Sequence, residues 1–385
     1  MRKVAIIPLR SGSKGIKNKN RKKILGRPLF TWTLAAAIES KLDHVYVFTD
    51  DQKVIDFINK DYGWTEKVSV VERSTESASD TASTEMAMLE LAEKINYDFT
   101  HYFLLQATSP LTTAADIDKA IEVLEQGADS VISVVKTHRF IWKSNGESIN
   151  YDYLNRPRRQ DFDGLLIENG SIYGCSKAVF TKTKNRLGGK IQVMEMPEDT
   201  LTEIDEPTDL ILIEQLLRKR LLTYKKPVKA IKYLVLDVDG VFTDATAAYD
   251  KNGELSKQFS LFDGMGLEIL REHHVEPIIM TSENSELVKR RMEKLQINKC
   301  FLGVKDKFAF LNNLIKELNV NRNELAYLGD DINDLANILS VGWGACPLNA
   351  ASPVRNAADI KLTTYGGKGA IREFVEFIIG FNSRI

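Results

Sequence analysis

The stretch YLVLDVDGVFTD, Tyr233 to Asp244, puts two aspartates two residues apart directly behind an apolar run. Tyr233–Leu236 reads as a buried strand. If the chain stays extended, its period of two aims Asp237 and Asp239 the same way. Two carboxylates held together repel, and burial raises their pKa values, so something cationic must compensate if both are to ionise. The opening MRKVAIIPLR looks like the first strand of a separate series. One polypeptide therefore carries the starts of two α/β series.

Outward from Tyr233, apolar runs at 276–280, 300–302, 325–328 and 342–345 read as strands. Helical patterns lie between them, around 266–273, 285–295, 307–318 and 331–338. The earlier series has strands at 4–8, 45–49, 68–71, 102–105 and 130–135, and helices at 29–40, 53–60, 84–95 and 114–126. Such alternation predicts α/β folding with mostly parallel sheets covered on both faces. A helix opens at Pro207 and runs to about Arg220. The basic stretch RKRLLTYKKPVKAIK, Arg218 to Lys232, is broken by Pro227 and reads as the connection between domains. The expected domains are 1–225 and 226–385.

The bulk numbers fit two domains: 385 residues, 43% hydrophobic and 27% charged. A net charge of −1 argues against nucleic acid or an acidic membrane as a general partner. No apolar run approaches a membrane span. Three scattered cysteines, Cys175, Cys300 and Cys346, exclude a disulfide framework and fit a reducing cytoplasm.

IPLRSGSKGIKNKN, Ile7 to Asn20, follows a strand and precedes a helix. Its Gly and Ser residues let backbone N–H groups turn toward an anion, and Arg10, Lys14, Lys17 and Lys19 add positive charge, which together suit a triphosphate. It is not a Walker A loop. ASDTAS, Ala78 to Ser83, is dense in hydroxyls, with Arg73 upstream. LLQATSPL sets Gln106, Thr108 and Ser109 at a strand's C-terminal edge. RPRRQDFDGLLIENGSIY runs from Arg156 to Tyr173. LTEIDEPTD puts Glu203 and Asp205 two apart. Taken singly, each segment also fits helix caps, turns or a solvated acid pair.

Together these strings resemble the CMP-acylneuraminate synthetases, the cytidylyltransferases that activate sialic acids, over about Arg2 to Leu217. RPRRQDFDG…ENGS…Y is similar to the vertebrate form. The resemblance implies a Rossmann-like domain with a dimerisation element reaching a neighbouring subunit. It implies that Arg10, Ser13, Lys14, Gly15 and Lys19 hold the CTP phosphates, with Arg10 and Lys19 catalytic. Asn20, Arg73, Ser79 and Ser83 lie in the cytidine regions, and Gln106, Asn169 and Tyr173 border the sugar acid. Arg158, Arg159 and Gln160 lie where a partner subunit enters. The family's magnesium pair, Asp-Ile-Asp, reads Glu203-Ile204-Asp205 here. The longer Glu203 stem moves its oxygen, which leaves Asp205 the better ligand.

In the second series Thr281 ends a strand, Lys307 opens a helix, and LGDDIND offers Asp330, Asp331 and Asp334. Acids gathered at strand ends need a divalent cation, and oxygen ligands favour Mg²⁺. The order DxD, Thr, Lys, GDDxxD resembles the haloacid dehalogenase superfamily. The resemblance implies that Asp237 is the nucleophile and Asp239 the acid/base, with Thr281 and Lys307 on the phosphoryl group. Asp237, Asp239, Asp330 and Asp334 would hold Mg²⁺; Asp331 is a ligand or a helix cap. The short intervals leave little room for a cap domain, which resembles the capless phosphatases of eight- and nine-carbon sugar acids, commonly tetramers. Gly366, Gly367 and Arg372 of YGGKGAIREF would reach an adjacent active site.

Two expectations stand side by side. One is a bifunctional enzyme that removes phosphate from a nine-carbon sugar acid 9-phosphate and joins the acid, sialic acid or KDN, to CMP from CTP. The other is a cytidylyltransferase whose second half is a non-catalytic oligomerisation module. In either case a homo-oligomer is expected, a dimer through the first domain and a tetramer through the second.

Overall fold

The computed structural model describes residues 2–13, 15–251 and 253–385. The chain divides into two compact units, 1–22 with 28–213 and 23–27 with 214–385. Both are α/β.

The first unit is built on seven strands in the order Val68–Glu72, His44–Thr49, Lys3–Leu9, His101–Leu105, Leu165–Ser176, Ser130–Thr137, Ile191–Met196. All pair parallel except Leu165–Ser176, which runs antiparallel to both neighbours. Lys3–Leu9 is central, and Val4, Ala5, Ile6 and Ile7 are fully buried, as a strand covered on both faces requires. Helices Leu29–Glu39, Gln52–Asp61, Thr84–Lys94 and Ala114–Glu125 alternate with the strands. Ser83 and Thr113 cap two of them, Thr113 within a capping box with Asp116.

The strand Leu165–Ser176 departs from the sequence expectation, which read its Asn169-Gly170 only as part of a binding segment. The register against Ser130–Thr137 shifts between Ile132 and Val134, and Gly170 sits at φ 67°. A left-handed glycine at a bulge keeps the strand continuous where the local sequence looks like a turn. The edge strand Ile191–Met196 was likewise unread; four of its six residues are exposed, so it carries no apolar run.

The second unit has six parallel strands in the order Cys300–Phe301, Glu276–Met280, Tyr233–Leu236, Leu325–Leu328, Trp343–Cys346, Ile360–Lys361. A separate hairpin pairs Ala248–Asp250 with Gly253–Ser256. Tyr233–Leu236 is again central, and Leu234, Val235 and Leu236 are fully buried. Helix Leu261–Glu272 begins earlier than expected because Ser260 caps it by accepting from Asp263 N. The helix Pro207–Thr223 crosses the division between the units. Among the described residues no helix is long and apolar enough to cross a membrane.

Candidate functional sites

In the first unit the phosphate-type loop follows the central strand, and a cavity of about 560 Å³ opens there, a size that suits a small-molecule ligand. Arg10, Ser13, Gly15, Lys19, Asn20, Arg73, Ser79, Ser83, Gln106 and Asp205 line it together. Residues scattered over two hundred positions of sequence thus meet at the C-terminal ends of parallel strands, where open α/β sheets bind ligands. Lys14 lies outside the described residues.

The loop is held by its own chemistry. Ser11 donates from N and Oγ to Asp50 at 2.8 and 2.6 Å, and Asn20 Nδ2 donates to the Arg10 carbonyl at 3.2 Å. Arg10 pairs with Asp80 at 2.8 Å. Lys19 Nζ lies 2.8 Å from the Ile204 carbonyl and 3.1 Å from Asp205 Oδ1. A Cβ on Gly15 would sit 2.5 Å from the Asp205 carbonyl oxygen, so only glycine lets the loop approach the acidic segment this closely. Burial, then the charge of Asp205, raises the Glu203 carboxyl above its ordinary range. That pressure is what a cation near Glu203 and Asp205 would relieve.

Two of the expected sugar-acid residues, Asn169 and Tyr173, are not among the lining residues. Asn169 is buried at 1% exposure; its Oδ1 accepts from Ser133 Oγ at 2.6 Å and its Nδ2 donates to Thr200 Oγ1 at 3.0 Å. Its amide braces the bulge from within the sheet. Tyr173 is buried and its hydroxyl donates to Glu168; burial and that carboxylate raise its pKa. Arg158, Arg159 and Gln160 are exposed in and beside a short 3-10 turn. Ser83 serves as a helix cap and also lines the cavity. Thr108, placed by the sequence at a strand's C-terminal edge, also lines the cavity, as does Asp80, which the sequence reading gave no role. The buried Thr108 Oγ1 has no hydrogen-bond partner among the described residues. Among the described residues no histidine lines the cavity.

In the second unit three adjacent strand ends converge. Leu236 pairs with Ile279 on one side and Leu328 on the other. Asp237 therefore emerges level with Met280 and Gly329, each one residue before Thr281 and Asp330. Lys307 opens helix Lys307–Leu318, and its fully buried ammonium lies 2.8 Å from Asp237 Oδ2 and 2.7 Å from Asp334 Oδ1. Asp334 Oδ1 also accepts from Tyr327 Oη at 2.7 Å, and Asp334 Oδ2 from Asp330 N at 3.2 Å. Asp237 Oδ1 accepts from Val238 N at 2.7 Å. Asp239 Oδ1 accepts from Lys257 Nζ at 2.7 Å. Thr281 is 2% exposed. Asp331 accepts from Ile332 N as the N-cap of the turn Ile332–Asp334, the capping alternative. Gly366 N donates to Asn349 Oδ1, whose Nδ2 donates to the Gly240 carbonyl, so that segment lies against the DxDG loop of its own chain.

Asp237, Asp330 and Asp334 place carboxylate oxygens within 4.8 Å of one another. Burial pushes Asp237 up to about 7, with Lys307 opposing. Burial, then the charges of Asp334 and Asp237, push Asp330 up to about 8. Burial would lower Lys307, but Asp237 and Asp334 overcome it and hold the lysine raised. One ammonium thus faces three acids. An all-oxygen donor set with unmet negative charge fits a hard divalent cation. Tyr327 escaped the sequence reading because it looks like any apolar strand residue; only its hydroxyl direction marks it.

Residues 4–231 match the cytidylyltransferase family, and residues 266–374 match the haloacid dehalogenase-like hydrolases. The N-acylneuraminate cytidylyltransferase of Oncorhynchus mykiss is 34% identical over 389 residues, covering 97% of this chain and 88% of its own. N-acylneuraminate cytidylyltransferase B of Danio rerio is 29% identical, covering 99% of this chain and 91% of its own. A 3-deoxy-D-manno-octulosonate 8-phosphate phosphatase of Haemophilus influenzae is 36% identical over 155 residues, 40% of this chain and 86% of its own. With a nucleotide-sized cavity on one sheet and a lysine-bridged acid cluster on the other, the chain belongs to the cytidylyltransferase family and carries a haloacid dehalogenase-like hydrolase domain in its second half.

Proposed function

We propose that the chain is a bifunctional enzyme of the reducing cytoplasm, with residues 1–225 forming the transferase and 226–385 the phosphatase. The phosphatase removes phosphate from a nine-carbon 2-keto sugar acid 9-phosphate. The transferase joins the free acid, sialic acid or KDN, to CMP with CTP as donor. The steps are consecutive, so fusion makes both together. The observation that carries the reading is the buried Asp237–Lys307–Asp334 bridge with Asp330 beside it. An inert module has no use for such a cluster, since burying charge costs several kcal/mol per ion, about the scale of a whole domain's margin.

In the phosphatase, the Asp237 carboxylate attacks phosphorus, forming an aspartyl-phosphate as the ester P–O bond breaks. Asp239 gives its proton to the departing alkoxide. Water then attacks phosphorus, its proton returns to Asp239, and the Asp237–phosphorus bond breaks to release phosphate. Thr281 and Lys307 hold the phosphoryl oxygens, and Lys307 orients Asp237. Asp237, Asp330, Asp334 and the Asp239 carbonyl would hold Mg²⁺, which supplies charge neutralisation on the phosphoryl group.

In the transferase, the sugar acid's 2-hydroxyl attacks the α-phosphorus of CTP and pyrophosphate leaves in line. Arg10, Ser13 and Lys19, with the backbone at Gly15, cradle the phosphates and oppose the charge growing on the leaving group. Asn20, Arg73, Ser79 and Ser83 face the cytidine. Gln106 borders the sugar acid, and Arg158, Arg159 and Gln160 meet it from a neighbouring subunit. Asp205 with Glu203 would hold a second Mg²⁺.

The test is Asp237→Asn in the full chain. Phosphate release from the sugar acid 9-phosphate is abolished, while pyrophosphate release from CTP and the free acid is unchanged. Wild-type protein that hydrolyses no sugar-acid phosphate with Mg²⁺ present refutes the phosphatase half. That outcome would favour the assembly reading, which has its own support. Leu261, Phe262 and Met265 are 77%, 76% and 52% exposed on one helix end of the second unit, and exposed apolar groups of this kind mark interaction faces. The same surface supports a homo-oligomer in either case.

A further inference from the structure

Lys257 belongs to none of the motifs, yet it lies against the chemistry. It follows the hairpin strand Gly253–Ser256, and its side chain is 3% exposed. Its ammonium lies 2.7 Å from Asp239 Oδ1 and 3.1 Å from Glu254 Oε1. Glu254 Oε2 in turn accepts from Ser285 Oγ, and Ser285 caps helix Glu286–Lys294. A buried lysine is costly unless paired and hydrogen-bonded; here two carboxylates pair it. The Asp239 side chain remains 33% exposed. An open carboxylate of this kind has two free torsions and would otherwise wander among rotamers.

We propose that Lys257 is a positioning residue of the phosphatase, fixing the Asp239 carboxyl on the line along which it protonates the leaving alkoxide. The inference rests on the phosphatase reading above. The chain Asp239–Lys257–Glu254–Ser285 anchors that geometry at both ends, in the DxDG loop and in a helix cap. Proton delivery depends on reach and angle, so a loosened Asp239 loses general-acid catalysis while Asp237 and Lys307 still accept the phosphoryl group. The loss therefore depends on the leaving group. A sugar alkoxide needs the proton; a nitrophenolate departs without one.

The experiment compares Lys257→Met with wild type on two esters in Mg²⁺, the sugar acid 9-phosphate and nitrophenyl phosphate. General-acid catalysis contributes about 10²-fold or more, so kcat on the sugar ester falls by about that factor. KM and the first-turnover burst of nitrophenolate change by less than about threefold, because phosphoryl transfer to Asp237 needs no proton from Asp239 when nitrophenolate leaves and comes before Asp239 activates water. Turnover of the aryl ester also reports that the variant is folded. Lys257→Arg, which keeps a cationic donor beside Asp239, retains more sugar-ester turnover than Lys257→Met. Equal losses in sugar-ester turnover and in the nitrophenolate burst, no loss in either, or an arginine variant worse than the methionine one overturns the inference. Wild-type protein inert toward both esters overturns the phosphatase reading instead, a separate result.

Discussion

Replacing Lys307 by methionine removes one cation from between two buried acids. The ammonium is fully buried and stands 2.8 Å from Asp237 and 2.7 Å from Asp334. At an effective dielectric of about 20, each such pair attracts by roughly 6 kcal/mol. Most of that is offset by taking the charges out of water. What remains uncompensated once the lysine is gone costs about 3–5 kcal/mol, the range for breaking a buried pair from one side. Methionine fills similar volume, so little of the loss comes from a cavity. Hydrogen exchange by mass spectrometry without metal reads the effect locally. Amides of the strand Tyr233–Leu236 exchange about two to four powers of ten faster, since 1.4 kcal/mol is tenfold. The strand Lys3–Leu9 in the other unit is the internal control and does not change. Phosphate release is lost in the same variant. If protection in the second unit falls by less than about tenfold, the acids are not relying on Lys307, and the electrostatic account of the cluster is wrong.

Two further outcomes follow from the same sites. Asp237 and Asp330 rise from an ordinary value of 3.8 to about 7 and about 8. A carboxyl raised on folding favours the folded state while protonated, and that contribution disappears as pH climbs through the folded value. Metal-free stability of the second unit therefore declines between about pH 4 and pH 8. Mg²⁺ then raises its melting temperature more at about pH 8.5 than at about pH 5.5, by about 2–4 °C for each kcal/mol; equal shifts at both would contradict the cluster as the binding site. In the first unit, Gly15→Ala puts a Cβ 2.5 Å from the Asp205 carbonyl oxygen, closer than any real contact. The loop must move by a fraction of an ångström to an ångström, enough to lower kcat/KM for CTP by about 10²-fold. Phosphate release in the other unit stays at the wild-type rate, and an alanine variant with full transferase turnover would refute the close approach.

Much of both sites was legible in the sequence because their residues sit one or two positions beyond apolar runs. Arg10 follows Lys3–Leu9, Gln106 follows His101–Leu105, and Asp237, Thr281 and Asp330 follow three strands of the second sheet. Strand signals are local, so the residue that comes next is readable too. The surroundings of Asn169 were not legible for the complementary reason. Its Asn-Gly looks like a surface turn, but the register shift and the partners Ser133 and Thr200 come from distant segments. Tyr327 and Lys257 were invisible for the same cause, since nothing in their neighbours along the chain says what their polar ends will touch.

The sequence by itself determined the α/β class, the two series and the chemical types of the site residues, because hydrophobic period and strand-end composition are properties of short windows. Only the tertiary structure decided which strand ends are neighbours, that Gly15 meets Asp205, and that one buried ammonium must serve Asp237 and Asp334 together. Those outcomes depend on distances between segments far apart in the chain, and so do the energies of charges out of water.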